Sequence, residues 1–324
     1  MSASAVGRRC TAMGEDLRIG LVGCGRLAEV GYVPALQAAG GVHLAGLAEP
    51  DPSRRARVAT LAGGVPAFAD AAALLAAIPV DGLVLATPTS AHLADARIAA
   101  AAGVPALLEK PPAPDRHQAA ELAALTPTPW IGFNRRFDPG IAALRAATPA
   151  GEEREMFLEL GYRRRGWGAH TVTDDALLDL GPHLIDLARW ITRTEVTNVE
   201  RATVAPERAE FDLALGLDRA RIRCATNRPY RERVEVRHWR GAVLDHHHGG
   251  LLAAVRGRLA ARPGPHPLVA SLTAQLKAFA RAVCGAPEPT LGRAADGLAV
   301  MAAIDAVRAC AAGDGSAVTI GMES

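Results

Sequence analysis

The sequence predicts an α/β protein in two parts behind a flexible tail at 1–16. A doubly wound parallel sheet is expected over 17–133, then an α+β domain with a large, mostly antiparallel open sheet over 134–324. Three observations predict this. Up to Phe133, short apolar runs alternate with Ala-rich helical stretches, the rhythm of βαβ units. A glycine turn closes the first of these runs. Beyond Asn134, longer runs alternate polar with apolar residues, as strands with one wet or interface face do.

In chain order, the first-part strands are expected at Leu17–Val22, Val42–Ala48, Gly82–Ala86, Ala106–Leu108 and Trp130–Phe133. They are mostly apolar, as strands covered on both faces must be. The second part offers strands at Met156–Arg164, Asn198–Val204, Arg208–Leu217, Ala220–Ala225, Arg233–Trp239 and Ala242–His246. Helical stretches cover about Leu178–Thr192 and Leu268–Ala312, the latter broken at Gly285–Pro289. Pro182 forces a choice within the first of them. Either the helix starts near Asp174 and loses the bond to the Leu178 carbonyl, or it begins near Gly181 with proline in its first turn.

Composition narrows the function. At 324 residues the chain has room for about two domains. Hydrophobic residues make up 49% and charged residues 22%, which excludes a disordered chain. Lys+Arg 36 against Asp+Glu 34 leaves +2, so no strong field recruits nucleic acid or anionic lipid. Aromatics at 4% are too few for base-stacking platforms. Cys10, Cys24, Cys224, Cys284 and Cys310 show no paired spacing, so neither a disulfide framework nor a structural zinc site is readable, and a reduced cytoplasmic setting is expected. Arg8 and Arg9 are followed by no apolar signal core, Met13 is a candidate start, and no apolar run spans a membrane.

Gly23-Cys24-Gly25-Arg26-Leu27-Ala28 directly follows the first strand and opens a helix, the context in which G-x-G-x-x-G/A means a dinucleotide site. Gly23 permits the tight turn, Gly25 lets the backbone approach a pyrophosphate, and the helix N-terminus directs free N–H groups at the phosphates. The first domain is therefore a Rossmann domain, with Gly23, Gly25, Arg26 and Leu27 at the cofactor. Glu49, 21 residues beyond Ala28, stands where an acid binds the adenosine ribose hydroxyls, which favours NAD. Arg54, in Ser53-Arg54-Arg55, keeps NADP open, since an arginine there can pair with a 2′-phosphate.

Four further segments carry a family resemblance. They are Ala86-Thr87-Pro88-Thr89-Ser90-Ala91-His92, Glu109-Lys110-Pro111, Gly132-Phe133-Asn134-Arg135-Arg136-Phe137 and Asp179-Leu180-Gly181-Pro182-His183-Leu184-Ile185-Asp186. In this order and spacing, and with Asp296-Gly297 near the end, the chain resembles the Gfo/Idh/MocA oxidoreductases, the sugar and cyclitol dehydrogenases.

That resemblance implies hydride transfer between nicotinamide and a secondary carbinol or ketone of a sugar, cyclitol or related polyol. Thr87, Pro88, His92, Glu109 and Lys110 would border the cofactor, and Lys110 would hydrogen-bond the reacting oxygen. His183 would act as general acid/base, with Asp179 orienting it and tuning its pKa. Lys110 and His183 are interchangeable in that proton role. Asn134, Arg135, Tyr162, Arg164 and Trp167 would line the substrate pocket, and Asp186 would bind a substrate hydroxyl or balance a charge at the domain junction.

The segment Thr171-Val172-Thr173-Asp174-Asp175 departs from the glycine run of many members, which leaves the particular substrate undefined. The family also reaches NAD-dependent glycosidases and non-catalytic dinucleotide-binding regulators; Lys110 with Asp179 and His183 argues against a regulator. No metal is expected: histidines of Asp245-His246-His247-His248 alternate faces in a strand, and no partner at ligand spacing is evident. A homodimer or homotetramer through the second sheet is expected, with a small-molecule substrate as the remaining partner.

Overall fold

A computed structural model describes residues 16–167, 174–238, 241, 243–249, 267–313 and 316–321. The first sheet holds β1 (Leu17–Val22), β2 (Val42–Ala48), β3 (Ala67–Phe68), β4 (Gly82–Leu85), β5 (Ala106–Leu108), β6 (Trp130–Ile131) and β13 (Gly292–Arg293). The second holds β7 (Arg154–Arg163), β8 (Asn198–Ala205), β9 (Arg208–Leu215), β10 (Asp218–Ala225), β11 (Asn227–His238), β12 (Val243–Gly249) and β14 (Val318–Thr319).

The helices of the first part are α1 (Val33–Ala38), entered through a π-helical turn at Ala28–Tyr32, α2 (Pro52–Leu61), α3 (Ala71–Ala77), α4 (His92–Ala101) and α5 (Arg116–Ala123). Then come α6 (Pro139–Ala147), α7 (Arg164–Trp167), α8 (Ala176–Thr192), α9 (Pro267–Val283) and α10 (Ala294–Ala312). Aspartates start five of these helices. Asp51, Asp70, Asp115, Asp138 and Asp175 each accept a main-chain N–H of the first turn through the carboxylate. Such a cap is worth about 1 kcal/mol.

The first sheet runs β13-β6-β5-β4-β1-β2-β3, parallel except at β13. Order reverses between β1 and β4, and the crevice beyond their carboxyl ends is where open α/β sheets bind ligands. The second sheet runs β12-β11-β7-β10-β9-β8-β14 and is antiparallel except for β7 beside β10. One face packs on α8, whose described residues are buried along its whole length. The helix runs from Ala176 through Pro182, so it is the earlier of the two starts, and the Leu178 carbonyl forgoes its i+4 partner.

Three differences from the sequence expectation have physical causes. β11 starts at Asn227, six residues early, because Pro229 is absorbed at a register irregularity between Asn227 and Arg231 rather than ending the strand. β6 stops at Ile131 because Phe133 and Asn134 N–H groups turn back onto the Ile131 and Gly132 carbonyls. The third concerns the boundary at 133/134. Beyond it, α9 returns to the first part, where Leu272, Leu276 and the fully buried Phe279 join the core beneath β1 and β2. β13 likewise pairs with β6. The two-residue strands β3, β13 and β14 are too short to leave a pattern in sequence.

Cys24, Cys224 and Cys310 are buried free thiols, whereas Cys284 is disulfide-bonded, which the cysteine spacing did not suggest. Among the described residues no helix is long and apolar enough to cross a membrane.

Candidate active site

β1 delivers the chain into a turn that only glycine can make. Gly23 has φ +94°, and a Cβ there would stand 2.6 Å from the Ala86 carbonyl oxygen at the end of β4. Gly25 differs: a Cβ there meets nothing within 4 Å, so the protein's own packing does not demand glycine. Open space over a glycine turn at the switch point, followed by a helical N-terminus, fits the approach of a dinucleotide pyrophosphate. Arg26 is exposed and pairs with Glu29, and Leu27 lies half-buried beside it.

Glu49 is buried just past β2. Its carboxylate accepts the Cys24 N–H at 2.9 Å, the Asp51 N–H at 3.1 Å and Arg54 Nη2 at 2.9 Å. Of about four lone-pair sites this leaves one for a ribose hydroxyl. Arg55 is spent on the Glu49 and Pro50 carbonyls. Both arginines are thus tied to the acid or its backbone, which weighs against a 2′-phosphate. Glu49→Ala is expected to weaken NAD more than NADP, read as the ratio of the two dissociation constants; an unchanged ratio would show that Glu49 does not touch the ribose.

Thr87 and Pro88 follow β4. Thr87 Oγ1 donates to Asp95, and His92 has Nε2 2.9 Å from the Thr87 carbonyl and Nδ1 2.9 Å from that of Pro111. With both ring nitrogens on main-chain carbonyls, His92 braces the two loops together rather than reaching a cofactor, a correction to its expected role. Burial pushes its pKa down, against those hydrogen bonds. Glu109 also faces inward: Tyr32 Oη donates to it at 2.5 Å, and burial lifts the pKa of both groups. Tyr32 carries no motif that would have singled it out.

The Lys110–Pro111 peptide is cis. Lys110 Nζ reaches across to α8, donating to the Asp179 carbonyl at 2.8 Å and to Oδ1 at 3.3 Å. Asp179 Oδ2 accepts Tyr162 Oη at 2.5 Å and Arg164 Nη2 at 2.9 Å. Burial alone would raise the Asp179 pKa, but Lys110, Tyr162 and Arg164 together hold it below the usual carboxylate range.

His183, one turn further on, is buried, and its Nδ1 has no hydrogen-bond partner. Burial, then Lys110 and Arg135, push its pKa well below the ordinary histidine value. This corrects the expected pairing. Sharing a helix face with Asp179 does not make the two bond, because the carboxylate is taken up by three donors from elsewhere, and His183 stays neutral.

Two more expectations change. Asp186 faces Arg136 in a buried bidentate pair, Nε–Oδ2 2.8 Å and Nη2–Oδ1 2.5 Å. Burial alone would lower the Arg136 pKa, but Asp186 and Asp296 carry it above its usual value. Asp186 is thus buried against Arg136, the geometry of a charge balanced between domains. Asn134 is likewise buried, donating to Ser271 of α9 at 3.1 Å.

Arg135 ion-pairs with Glu232 of β11, which also accepts Tyr230 Oη at 3.0 Å, and Arg135 Nε is left without a partner. Arg164 Nε is similarly free. Tyr162, Arg164 and Arg135 thus ring the Lys110–Asp179–His183 centre. Trp167 ends α7, but its side chain lies outside the described residues, as do Thr171, Val172 and Thr173.

The histidine run behaves otherwise than expected. Alternation along β12 puts His246 and His248 on one face, where Asp138, the cap of α6, meets both. The acid lies more than a hundred positions away in sequence, so no local spacing could have revealed it.

A glycine turn at a sheet switch point, joined to a second domain that closes over its rim with charged side chains, defines a dinucleotide-binding α/β protein. Residues 17–128 match the model of the Gfo/Idh/MocA oxidoreductase family, described as an NAD-binding Rossmann fold.

An inositol 2-dehydrogenase of Corynebacterium glutamicum is 31% identical over 194 residues, 58% of this chain and 58% of that protein. The rhizopine catabolism protein MocA of Rhizobium meliloti is 32% identical over 201 residues, 57% of this chain and 60% of the relative. Each match therefore spans under two thirds of the curated relative. The fold extends further: scyllo-inositol dehydrogenase from Lactobacillus casei, solved with NAD(H) and scyllo-inositol, superposes with TM-score 0.76 at 17% identity over 94% of this chain and 99% of that one.

Proposed function

We propose that the chain is an NAD-dependent dehydrogenase acting on a secondary carbinol, or the matching ketone, of a cyclitol, sugar or related polyol. The observation that carries this is the meeting of Lys110 Nζ, from the rim of the first sheet, with Asp179 on α8, one helical turn from an unpartnered His183 Nδ1. Inositol dehydrogenase relatives and the NAD-binding unit support the substrate class and cofactor.

Gly23, Gly25 and Glu49 would hold the dinucleotide. The bound nicotinamide supplies the hydride chemistry. The protein's part is to position the carbinol and manage its proton. Lys110 donates a hydrogen bond to the carbinol oxygen and stabilises the negative charge that grows there. Asp179, fixed by Tyr162 and Arg164, aims the ammonium. His183, neutral because burial and the nearby cations disfavour its charged form, accepts the hydroxyl proton at Nδ1. The guanidinium groups of Arg135 and Arg164 offer free Nε–H donors to neighbouring hydroxyls. The salt-bridged open face of the second sheet, with Arg201 and Arg221 on Asp212, suits a homodimer or homotetramer.

The test is nicotinamide absorbance over inositols, sugars and amino sugars with NAD and with NADP, in both directions. NAD-linked turnover of a polyol is expected, and failure with every polyol overturns the assignment. His183→Asn is expected to lower kcat about 10²-fold or more with NAD affinity retained. Because the folded-state pKa of His183 is depressed, the ring stays neutral as pH falls through about 6.5. The wild-type kcat/KM profile should therefore show no inflection at the ordinary histidine value. An inflection there that vanishes in His183→Asn would mean that the ring is not held neutral.

A further inference from the structure

We infer that Asp138, His246 and His248 form a binding site for a late first-row divalent cation, Zn²⁺ foremost, tying the start of α6 to the edge strand β12. The site lies outside the Lys110–Asp179–His183 centre and rests on no part of the dehydrogenase assignment.

Its geometry is that of a coordination shell. His248 Nε2 lies 2.8 Å from Asp138 Oδ2 and His246 Nε2 lies 3.1 Å from Oδ1. All the candidate ligand atoms fall within 4.8 Å of one another. Zinc bonds of 2.0–2.1 Å in a tetrahedron set ligand atoms about 3.3 Å apart, so small shifts would seat an ion. Two imidazoles and one carboxylate are a donor set suited to zinc with a fourth position open.

Three details separate this from a plain hydrogen-bonded clamp. Asp138 Oδ1 already accepts the N–H groups of Gly140 at 2.8 Å and Ile141 at 3.1 Å. His246 Nε2 is buried and pairs with that oxygen at 3.1 Å without the alignment of a full hydrogen bond. Orientation of a ligating carboxylate by backbone donors on its other oxygen is what metal sites use to fix their ligands. Third, the ring of His246 sits so close to α6 that a Cβ at residue 140 would lie 2.2 Å from Nδ1, and glycine makes the room. His247 points away, toward Asp245 and Glu235, leaving His246 and His248 to face Asp138 alone.

The site connects to the rest of the protein through β11. Glu232, the partner of Arg135, lies directly across from His248 in the β11–β12 ladder. An ion at Asp138 therefore pins the strand that carries Glu232 and stabilises the folded state by mass action.

The experiment is titration of the chelator-treated, tag-free full chain with Co²⁺, followed by visible ligand-field absorption, and with Zn²⁺ by calorimetry and thermal denaturation. One ion per chain is expected, with tetrahedral-type bands and a melting temperature raised by Zn²⁺. The double variant His246→Gln/His248→Gln keeps side-chain amide donors toward Asp138 but offers poor ligands. It should bind at least about 10²-fold more weakly, beyond the 10–100-fold typical of losing only an outer-shell partner. No saturable uptake by the wild type, or uptake unchanged in the double variant, overturns the proposal. Anomalous scattering from wild-type crystals soaked in Zn²⁺ gives a reading independent of any variant. A peak bonded to His246 Nε2 and His248 Nε2 supports the site, and a peak elsewhere or none overturns it.

Discussion

Replacing Lys110 by alanine is expected to lower kcat by at least about 10²-fold while leaving NAD affinity nearly unchanged. Its ammonium is the group that bridges the first-sheet rim to Asp179 on α8, so its loss removes both a donor to the reacting oxygen and a cation that keeps Asp179 ionised. The Asp179 pKa should rise in the variant, because burial then acts with one opposing charge fewer. Cofactor fluorescence titration and steady-state kinetics check the two halves separately. Retained NAD binding with lost turnover supports a role at the carbinol. Lost NAD binding would instead mean that Lys110 shapes the nicotinamide pocket, and wild-type turnover would remove it from the mechanism altogether.

The second large effect is on stability. Asp186→Ala leaves the Arg136 guanidinium buried opposite an empty wall, and breaking one side of such a pair costs about 3–5 kcal/mol. Asp296, 3.2 Å from Arg136, remains as partial compensation and favours the lower end of that range. The double variant Asp186→Leu/Arg136→Met should regain most of the loss, since exchanging a buried ion pair for apolar residues of similar volume is often neutral. Denaturant unfolding of the three proteins measures this. A structural pair predicts that stability and activity recover together. Recovered stability with a persistently raised KM would return Asp186 to the substrate site.

These two expectations show where sequence and structure part company. The same eight-residue motif contains Asp179, His183 and Asp186, and helical periodicity places all three on one face. Periodicity says nothing of what the rest of the protein brings to that face. Lys110, Tyr162 and Arg164 converge on Asp179, Arg136 takes Asp186, and His183 Nδ1 receives no partner among the described residues. Three similar polar residues thus acquire three different states from long-range neighbours. His92 illustrates the same point from the first domain: it sits inside a motif, yet its ring is consumed by the Thr87 and Pro111 carbonyls.

What the sequence determined by itself was local or periodic. β1, β2 and β5 begin and end where apolar runs do, and the Gly23 turn follows from its glycine and its fixed place after β1. Those features depend on a few adjacent residues, so they can be read one segment at a time. Only the tertiary structure decided that α9 and β13 return to the first domain, that Arg54 is tied to Glu49, and that His246 and His248 find Asp138. The physical reason is that burial and electrostatic pairing depend on distance in space, and groups a hundred residues apart become neighbours only when the sheets and α8 have packed.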